Sequence, residues 1–381
     1  MKILYIANIR LPTEKAHGIQ IMKMCEAFAQ NGAQVELVVP WRFNKIKEDP
    51  FEYYKVKHVF EITRIPSLDT VKLGHLGFWI QVVSFSISMF LYVLFQKTDV
   101  VYSRDELPLW FLSFIKKNLV WEAHTPRYNF IIASLLKRIL GLVVISGGLK
   151  NFYEEKGAVV PSRVIVERDG VDLDQFSPMD VREARSSLNL PQERKIIGYV
   201  GKYKTMGKGK GVDELIEAFA AVSARVPGVM LLLVGINNDE RKELIEKLHL
   251  ATIDKKSYNL VGHVPQPQVP LYLSASDVLV MNYPDAEHYA LYMSPMKLFE
   301  YMAVKRPIIS TDLPSVREVL DDQSAYFVPP SDAQALSRAI ELVFRDVSAA
   351  HVRATSAFQK AGYYSWKHRA QRILSLFRQS L

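Results

Sequence analysis

Short apolar runs alternate along this chain with longer stretches in which apolar residues recur every third or fourth position. Such runs are buried strands and such stretches are amphipathic helices. In the first half the pattern predicts strands at Lys2–Ala7, Gln34–Pro40, Val100–Ser103, Leu119–Glu122 and Leu142–Ser146, and a further one beginning at Val164. In the second half it predicts Lys195–Val200, Val229–Val234, Tyr258–Val261, Val278–Met281, Pro307–Ser310 and Ala325–Val328. Helices fall between them. Ile21, Met24, Cys25 and Phe28 form one apolar face that ends at Gly32, and Val212–Arg225 and Asp239–Leu248 behave alike. Alternation of this kind argues for two parallel sheets, each covered on both faces, in an α/β chain. The polar, turn-rich passage around Pro178–Arg194 reads as the join, with domains at 1–177 and 178–360. Residues 361–381 form a closing helix whose apolar side, Trp366, Ile373, Leu374 and Phe377, is expected to pack back on the first domain.

One helical stretch stands apart. Leu76–Gln96 carries no charge and is long enough to span a bilayer. Gln81, Ser84 and Ser88 recur at helical spacing, however, so it reads first as a helix docked in its domain, second as an interfacial membrane contact, and last as a span. The opening MKILYIAN reads as a first strand rather than a signal peptide.

Composition narrows the picture. At 381 residues and 49% apolar content, two sizeable cores are expected. Cys25 is the single cysteine, so no intramolecular disulfide or cysteine-rich metal site is available, and a reducing, cytoplasmic setting fits. A net charge of +8 favours an anionic partner. No nucleic-acid motif accompanies it, and nucleic acid is the least favoured choice.

Ligands in parallel sheets bind beyond the carboxyl ends of the strands. In the first half that places His17-Gly18, Arg104-Asp105 and His124 at the mouth of the sheet. His124 is read as a proton carrier or a partner for a sugar hydroxyl, Gly18 as room for a ligand near the backbone, and Arg104-Asp105 otherwise as an ion pair. In the second half the loop Gly201–Gly211, GKYKTMGKGKG, suits a backbone that hugs a diphosphate while ammonium groups neutralise it. It is not a P-loop, because Lys210 is followed by glycine, and neither half shows G-x-G-x-x-G after its first strand. Ser294-Pro295 reads as the cap and first position of a helix in which Met296, Phe299 and Met302 point inward. Lys297 then lies in the first turn, where the helix dipole disfavours a cation unless an anion is bound nearby. Glu300 follows one turn on. Asp172 and Asp174 have only the spacing of a metal-binding pair and read as part of a turn.

Taken together, HGIQIMKMCEAFAQNGAQV, SRDELPL, WEAH, VISGGLKNFYEEKGA, DGVDLDQF, VGKYKTMGKGKGVDELIEAF, GHVPQPQVPLYLSASDVLVM and SPMKLFEYMAVKRPIISTDLPSVREVL resemble a family 4 glycosyltransferase of the GT-B fold. The resemblance covers nearly the whole chain. It implies two Rossmann-like domains facing across a cleft, a last helix that crosses back, and retaining, metal-independent transfer from a UDP- or GDP-sugar with no cofactor. Position by position, it implies that Lys202, where the family usually has arginine, and Lys210 contact the diphosphate. It further implies that Ser294, Pro295, Met296, Lys297 and Leu298 meet the diphosphate, Glu300 the ribose, Val264 the base, and His124 and Gly18 the donor sugar. Tyr292 stands where the family has a first glutamate. Glu287 or Asp285 replaces it, or the sugar hydroxyls are held differently. The implied acceptor is a glycan or lipid-linked glycan, with peripheral contact at the inner face of the membrane. A nucleotide-sugar-binding subunit with little activity, and a sugar-nucleotide epimerase, are the competing readings.

Overall fold

The computed structural model describes residues 1–157, 161–205 and 208–380. Ala158, Met206, Gly207 and Leu381, which belong to segments singled out above, lie outside them. The chain forms two compact units: Met1–Asp169 with Trp366–Leu381, and Gly170–Ser365.

The first unit is built on a seven-stranded sheet: β1 (Lys2–Ile6), β2 (Gln34–Pro40), β3 (Glu61–Ile65), β4 (Val100–Ser103), β5 (Leu119–Ala123), β6 (Gly141–Val144) and β7 (Val164–Val166). Their order is β3-β2-β1-β4-β5-β6-β7, and every pairing is parallel. Ile3, Leu4, Tyr5 and Ile6 of β1 are all inaccessible, as a central strand covered on both faces requires. β3 has no counterpart among the predicted strands. Its EITRI is an edge strand whose glutamate and arginine interrupt the apolar pattern.

The second unit has β8 (Lys195–Val200), β11 (Val229–Val234), β12 (Tyr258–Val261), β13 (Val278–Met281), β14 (Ile308–Thr311) and β15 (Tyr326–Val328) in the order β12-β11-β8-β13-β14-β15, again all parallel. Between β8 and β11 lies an antiparallel hairpin, β9 (Lys204–Thr205) with β10 (Lys208–Gly209), inside the segment expected to be a plain loop.

The join falls at Asp169–Gly170 rather than after residue 177. Val171 and Phe176 are buried in the second unit's core, and Val171 N–H donates to Tyr364 O, so residues 171–176 belong there. In this turn Asp172 Oδ1 accepts from the N–H of Asp174 (3.0 Å) and of Gln175 (3.2 Å). The last helix, Trp366–Ser380, packs on the helix Ala16–Gln30, and all four of its predicted apolar contacts are buried.

Candidate functional site

The strand order of the second sheet reverses at β8, whose neighbours β11 and β13 lie on opposite sides of it. The segments that follow β8 and β13 therefore flank the crevice in which such sheets hold ligands. They are held together closely. Gly211 has φ +75°, and a Cβ there would stand 1.4 Å from Asn282 O, so only glycine lets the hairpin's return reach the end of β13. Asn282 Nδ2 then donates to Gly211 O at 3.2 Å.

The helix Met296–Ala303 is anchored to β8 by Tyr301, whose hydroxyl accepts from Val200 N–H (2.9 Å) and donates to Val200 O (3.2 Å). Leu298, Phe299, Tyr301 and Met302 fill the core beneath it. The helix starts one residue later than predicted. Pro295 occupies the cap position in extended backbone (ψ 125°), with Ser294 before it, and Met296 is only partly buried.

Lys297 keeps its predicted place in the first turn. Its Nζ lies 4.4 Å from the centroid of the Tyr199 ring and 4.6 Å from that of Tyr283, and donates to the Tyr199 hydroxyl at 3.4 Å. The Tyr199 hydroxyl in turn donates to Lys202 O at 2.9 Å. Burial, and then the charge of Lys210, hold the Lys297 ammonium well below its usual pKa, with Glu300 acting the other way. Lys210 is itself lowered by burial and by Lys202. Burial pushes the Glu300 carboxyl up to about 7, against the pull of Lys297. Two lysines and one carboxylate thus share a poorly hydrated place, with the exposed Lys202 at its edge, so that cations exceed anions, an arrangement that an incoming polyanion relieves.

Lys204, also in the predicted cation cluster, is engaged elsewhere. Its Nζ binds both Glu243 oxygens (2.6 and 2.8 Å), and this contact comes first among those that draw the Glu243 carboxyl down to about 2. Val264 lies in the loop after β12, partly buried against the same core as the helix Met296–Ala303. Tyr292 is buried and donates to Glu287 Oε1 at 3.1 Å, which ties Glu287 to the position where the resemblance expects a glutamate; Asp285 is exposed.

The first unit's mouth is centred on a residue that the sequence reading did not single out. Glu122, on β5, is fully buried. Its Oε1 accepts from Gln20 Nε2 (2.6 Å) and Arg369 Nη2 (3.0 Å) and lies 2.6 Å from His124 Nε2, while Tyr102 donates to Oε2. Burial opposes the Glu122 charge, but Arg369 and then His124 outweigh it and hold the carboxyl well below its usual range. Arg369 also donates to Arg168 O (2.7 Å) and Glu167 O (3.1 Å). His124 is lowered to about 4 by burial and then by Arg104, so it is neutral at physiological pH. A neutral imidazole beside a carboxylate carries its proton on the facing nitrogen. Nε2–H therefore donates to Glu122, and Nδ1 keeps a free lone pair.

Two expectations change here. Arg104 and Asp105 are separately engaged: Arg104 donates to Gln20 Oε1 (2.7 Å), and Asp105 accepts from Asn8 N–H (2.7 Å). At Gly18 a Cβ would stand 2.3 Å from the Tyr54 hydroxyl and 2.6 Å from Thr13 Cγ2, so the space the missing side chain leaves serves local packing rather than a ligand. Arg369 did leave a signal. It lies one turn from both Trp366 and Ile373, a charge at a core position of an amphipathic helix.

Among the described residues, no group of three or more His, Cys, Asp or Glu side chains is placed to hold a metal ion.

Two doubly wound parallel sheets, the second ending in a lysine-lined switch point, define a GT-B architecture. Residues 194–346 match the family model described as "Glycosyl transferases group 1". A D-inositol 3-phosphate glycosyltransferase of Corynebacterium urealyticum is 28% identical over 228 residues, which cover 57% of this chain and 51% of that protein. The chain spans about half the length of the curated relatives it matches. Among solved structures, a sucrose-phosphate synthase from Thermosynechococcus elongatus superposes with a TM-score of 0.76 at 19% identity, covering 99% of this chain and 98% of that one. Anabaena HepE in complex with UDP-glucose gives 0.74 at 16% identity, with both chains fully covered. Over residues 194–346 the chain is thus similar to the group 1 glycosyltransferases, and the curated relatives it matches are glycosyltransferases too.

Proposed function

We propose that the protein transfers a sugar from a UDP- or GDP-linked donor to a hydroxyl of a glycan or lipid-linked acceptor, with retention of anomeric configuration and without a metal ion. The observation that carries this reading is the lysine excess at the head of the helix Met296–Ala303, where burial and Lys202 lower Lys210, and burial and Lys210 lower Lys297.

A diphosphate bound there offsets the burial and the Lys210 charge that lower Lys297. It also receives the backbone N–H groups of the helix's first turn, over the segment Ser294–Leu298. Glu300, one turn on, accepts from the ribose hydroxyls, and Val264 flanks the base. Glu287, joined to Tyr292, takes up sugar hydroxyls in place of the family's first glutamate.

As the bond between the anomeric carbon and the phosphate oxygen breaks, its electron pair leaves with the diphosphate, whose growing charge the lysines and helix N-terminus stabilise. The acceptor hydroxyl attacks the same face of the oxocarbenium-like centre and gives its proton to a departing phosphate oxygen. No protein nucleophile is needed. The bound UDP-glucose of HepE supports a donor of this kind.

The test is calorimetric titration with UDP, GDP, ADP and their sugar conjugates, with and without EDTA. Saturable, EDTA-insensitive binding of one nucleotide family is expected. Absence of binding by all of them overturns the reading.

A further inference from the structure

The helix Gly74–Leu94 differs from an ordinary surface helix in being apolar on its outward side as well as on the side it buries. The side it buries includes polar groups: Gln81 exchanges hydrogen bonds with Asn8 (2.8 and 3.3 Å), and Ser84 Oγ accepts from Leu68 N–H (3.0 Å). The predicted polar stripe thus holds the helix to its own unit. The opposite side is apolar. Leu76, Ile80, Val83, Ile87, Leu91 and Leu94 follow one another at steps of three or four and are 38–72% exposed. A solvated helix face is normally polar, so this stripe is built for a different medium.

The helical segment Val71–Leu94 is long and apolar enough to cross a membrane by length and composition, its most apolar stretch having a mean hydropathy of 1.7 with 39% buried inside the structure. Crossing would require giving up the Gln81 and Ser84 bonds, whereas lying flat keeps them. Both ends of the stripe carry cations and exposed aromatic rings. At the amino end the ammonium groups of Lys47 and Lys72 lie 4.8 and 5.9 Å from the centroid of the Phe43 ring, which is 61% exposed. At the carboxyl end stand Phe95, 86% exposed, and the exposed Lys97 and Lys117, while Lys116 Nζ donates to Gln96 O at 3.0 Å. No Asp, Glu, Lys or Arg interrupts Gly74–Gln96.

We propose that the helix Gly74–Leu94 docks the protein flat on an anionic lipid bilayer, its outward stripe seated at the boundary between headgroups and acyl chains. A helix of this length lays down about 30 Å of apolar contact. Lysines at each end reach the phosphates of the headgroup layer, and the aromatic rings beside them suit the same depth. This surface lies wholly within the first unit and stands independently of the nucleotide reading.

The experiment is flotation of the full chain with vesicles of phosphatidylcholine alone or mixed with phosphatidylglycerol. Nucleotide-induced thermal shift and circular dichroism serve as controls for the fold. Binding at least tenfold tighter to the mixed vesicles is expected, weakening as salt rises. I87D/L91D should abolish it, and K97E/K117E should reduce it several-fold. Because these positions are exposed, melting and nucleotide binding stay as in the parent protein, so failure here is separable from failure of the proposed transfer.

Four outcomes overturn the proposal. One is absence of flotation. Another is flotation indifferent to I87D/L91D. The third is a homodimer in sedimentation velocity that I87D/L91D dissociates while vesicles remain unbound, which assigns the stripe to a second copy. Protection of the Leu76–Gln96 segment from proteases added on both sides of the bilayer, together with resistance to carbonate extraction, overturns flat docking in favour of a span.

Discussion

In the first unit a fully buried arginine, Arg369, meets a fully buried carboxylate, Glu122, and Gln20, Tyr102, His124 and two carbonyls supply further bonds. In the second unit Lys297 meets aromatic rings and feels the charge of Lys210, and the carboxyl that opposes this, Glu300, is itself drawn toward its neutral form. Both regions remove charge from water, but only the first supplies the counter-charge from its own chain. The first behaves as scaffold. The second is most comfortable when an anion from outside completes it.

The largest effect is expected where the internally balanced region is broken. Glu122→Leu leaves Arg369 buried without its carboxylate and should cost about 3–5 kcal/mol in calorimetric unfolding. Adding Arg369→Met should return most of that loss; if the double variant is no better than the single, the pair is not the unit of stability. On the other side, Lys297→Met should weaken nucleoside diphosphate binding by about tenfold to a hundredfold, read by titration calorimetry, without destabilising the ligand-free protein.

Glu300 sharpens the contrast through pH. Its carboxyl titrates near 7 in the folded protein against an ordinary 4.5. A raised carboxyl favours the folded state fully below 4.5, and that contribution is lost as pH rises through about 7. Glu300→Gln should therefore raise the ligand-free Tm at pH 8, equivalent to about 1–3 kcal/mol, and leave it unchanged at pH 4. Nucleotide affinity should fall in the same variant. The smallest effect is expected at Tyr292→Phe. Losing its bond to Glu287 should cost about 1 kcal/mol in the binding of sugar conjugates and nothing in the binding of the bare diphosphate.

The contrast also explains what could be read in advance. Central strands such as KIIGYV and VMLLLV announce themselves because both faces are covered. The edge strand EITRI does not, since its charges resemble those of a loop. Lys297 was legible because a cation in a first helical turn is a local anomaly, visible without the fold. The Glu122–Arg369 pair was only half legible: Arg369 is a charge at a core position of its helix, but nothing near either residue names the other as its partner, 247 positions away. The same holds for the rings of Tyr199 and Tyr283, which reach Lys297 from two different strand ends. At Gly18 the sequence showed a missing side chain but not the tyrosine that fills its place.

Glu122 and Arg369 are separated by 247 positions, with the whole second unit between them. At the pace of a working ribosome, the arginine follows the glutamate by roughly ten to fifty seconds. Once Val166 has been added and the first sheet can complete, its central carboxylate waits without its arginine for the rest of that interval, while the second unit has time to emerge and close on itself. The unit made first is thus the one finished last, and the nascent chain becomes a settled whole only when its final helix arrives.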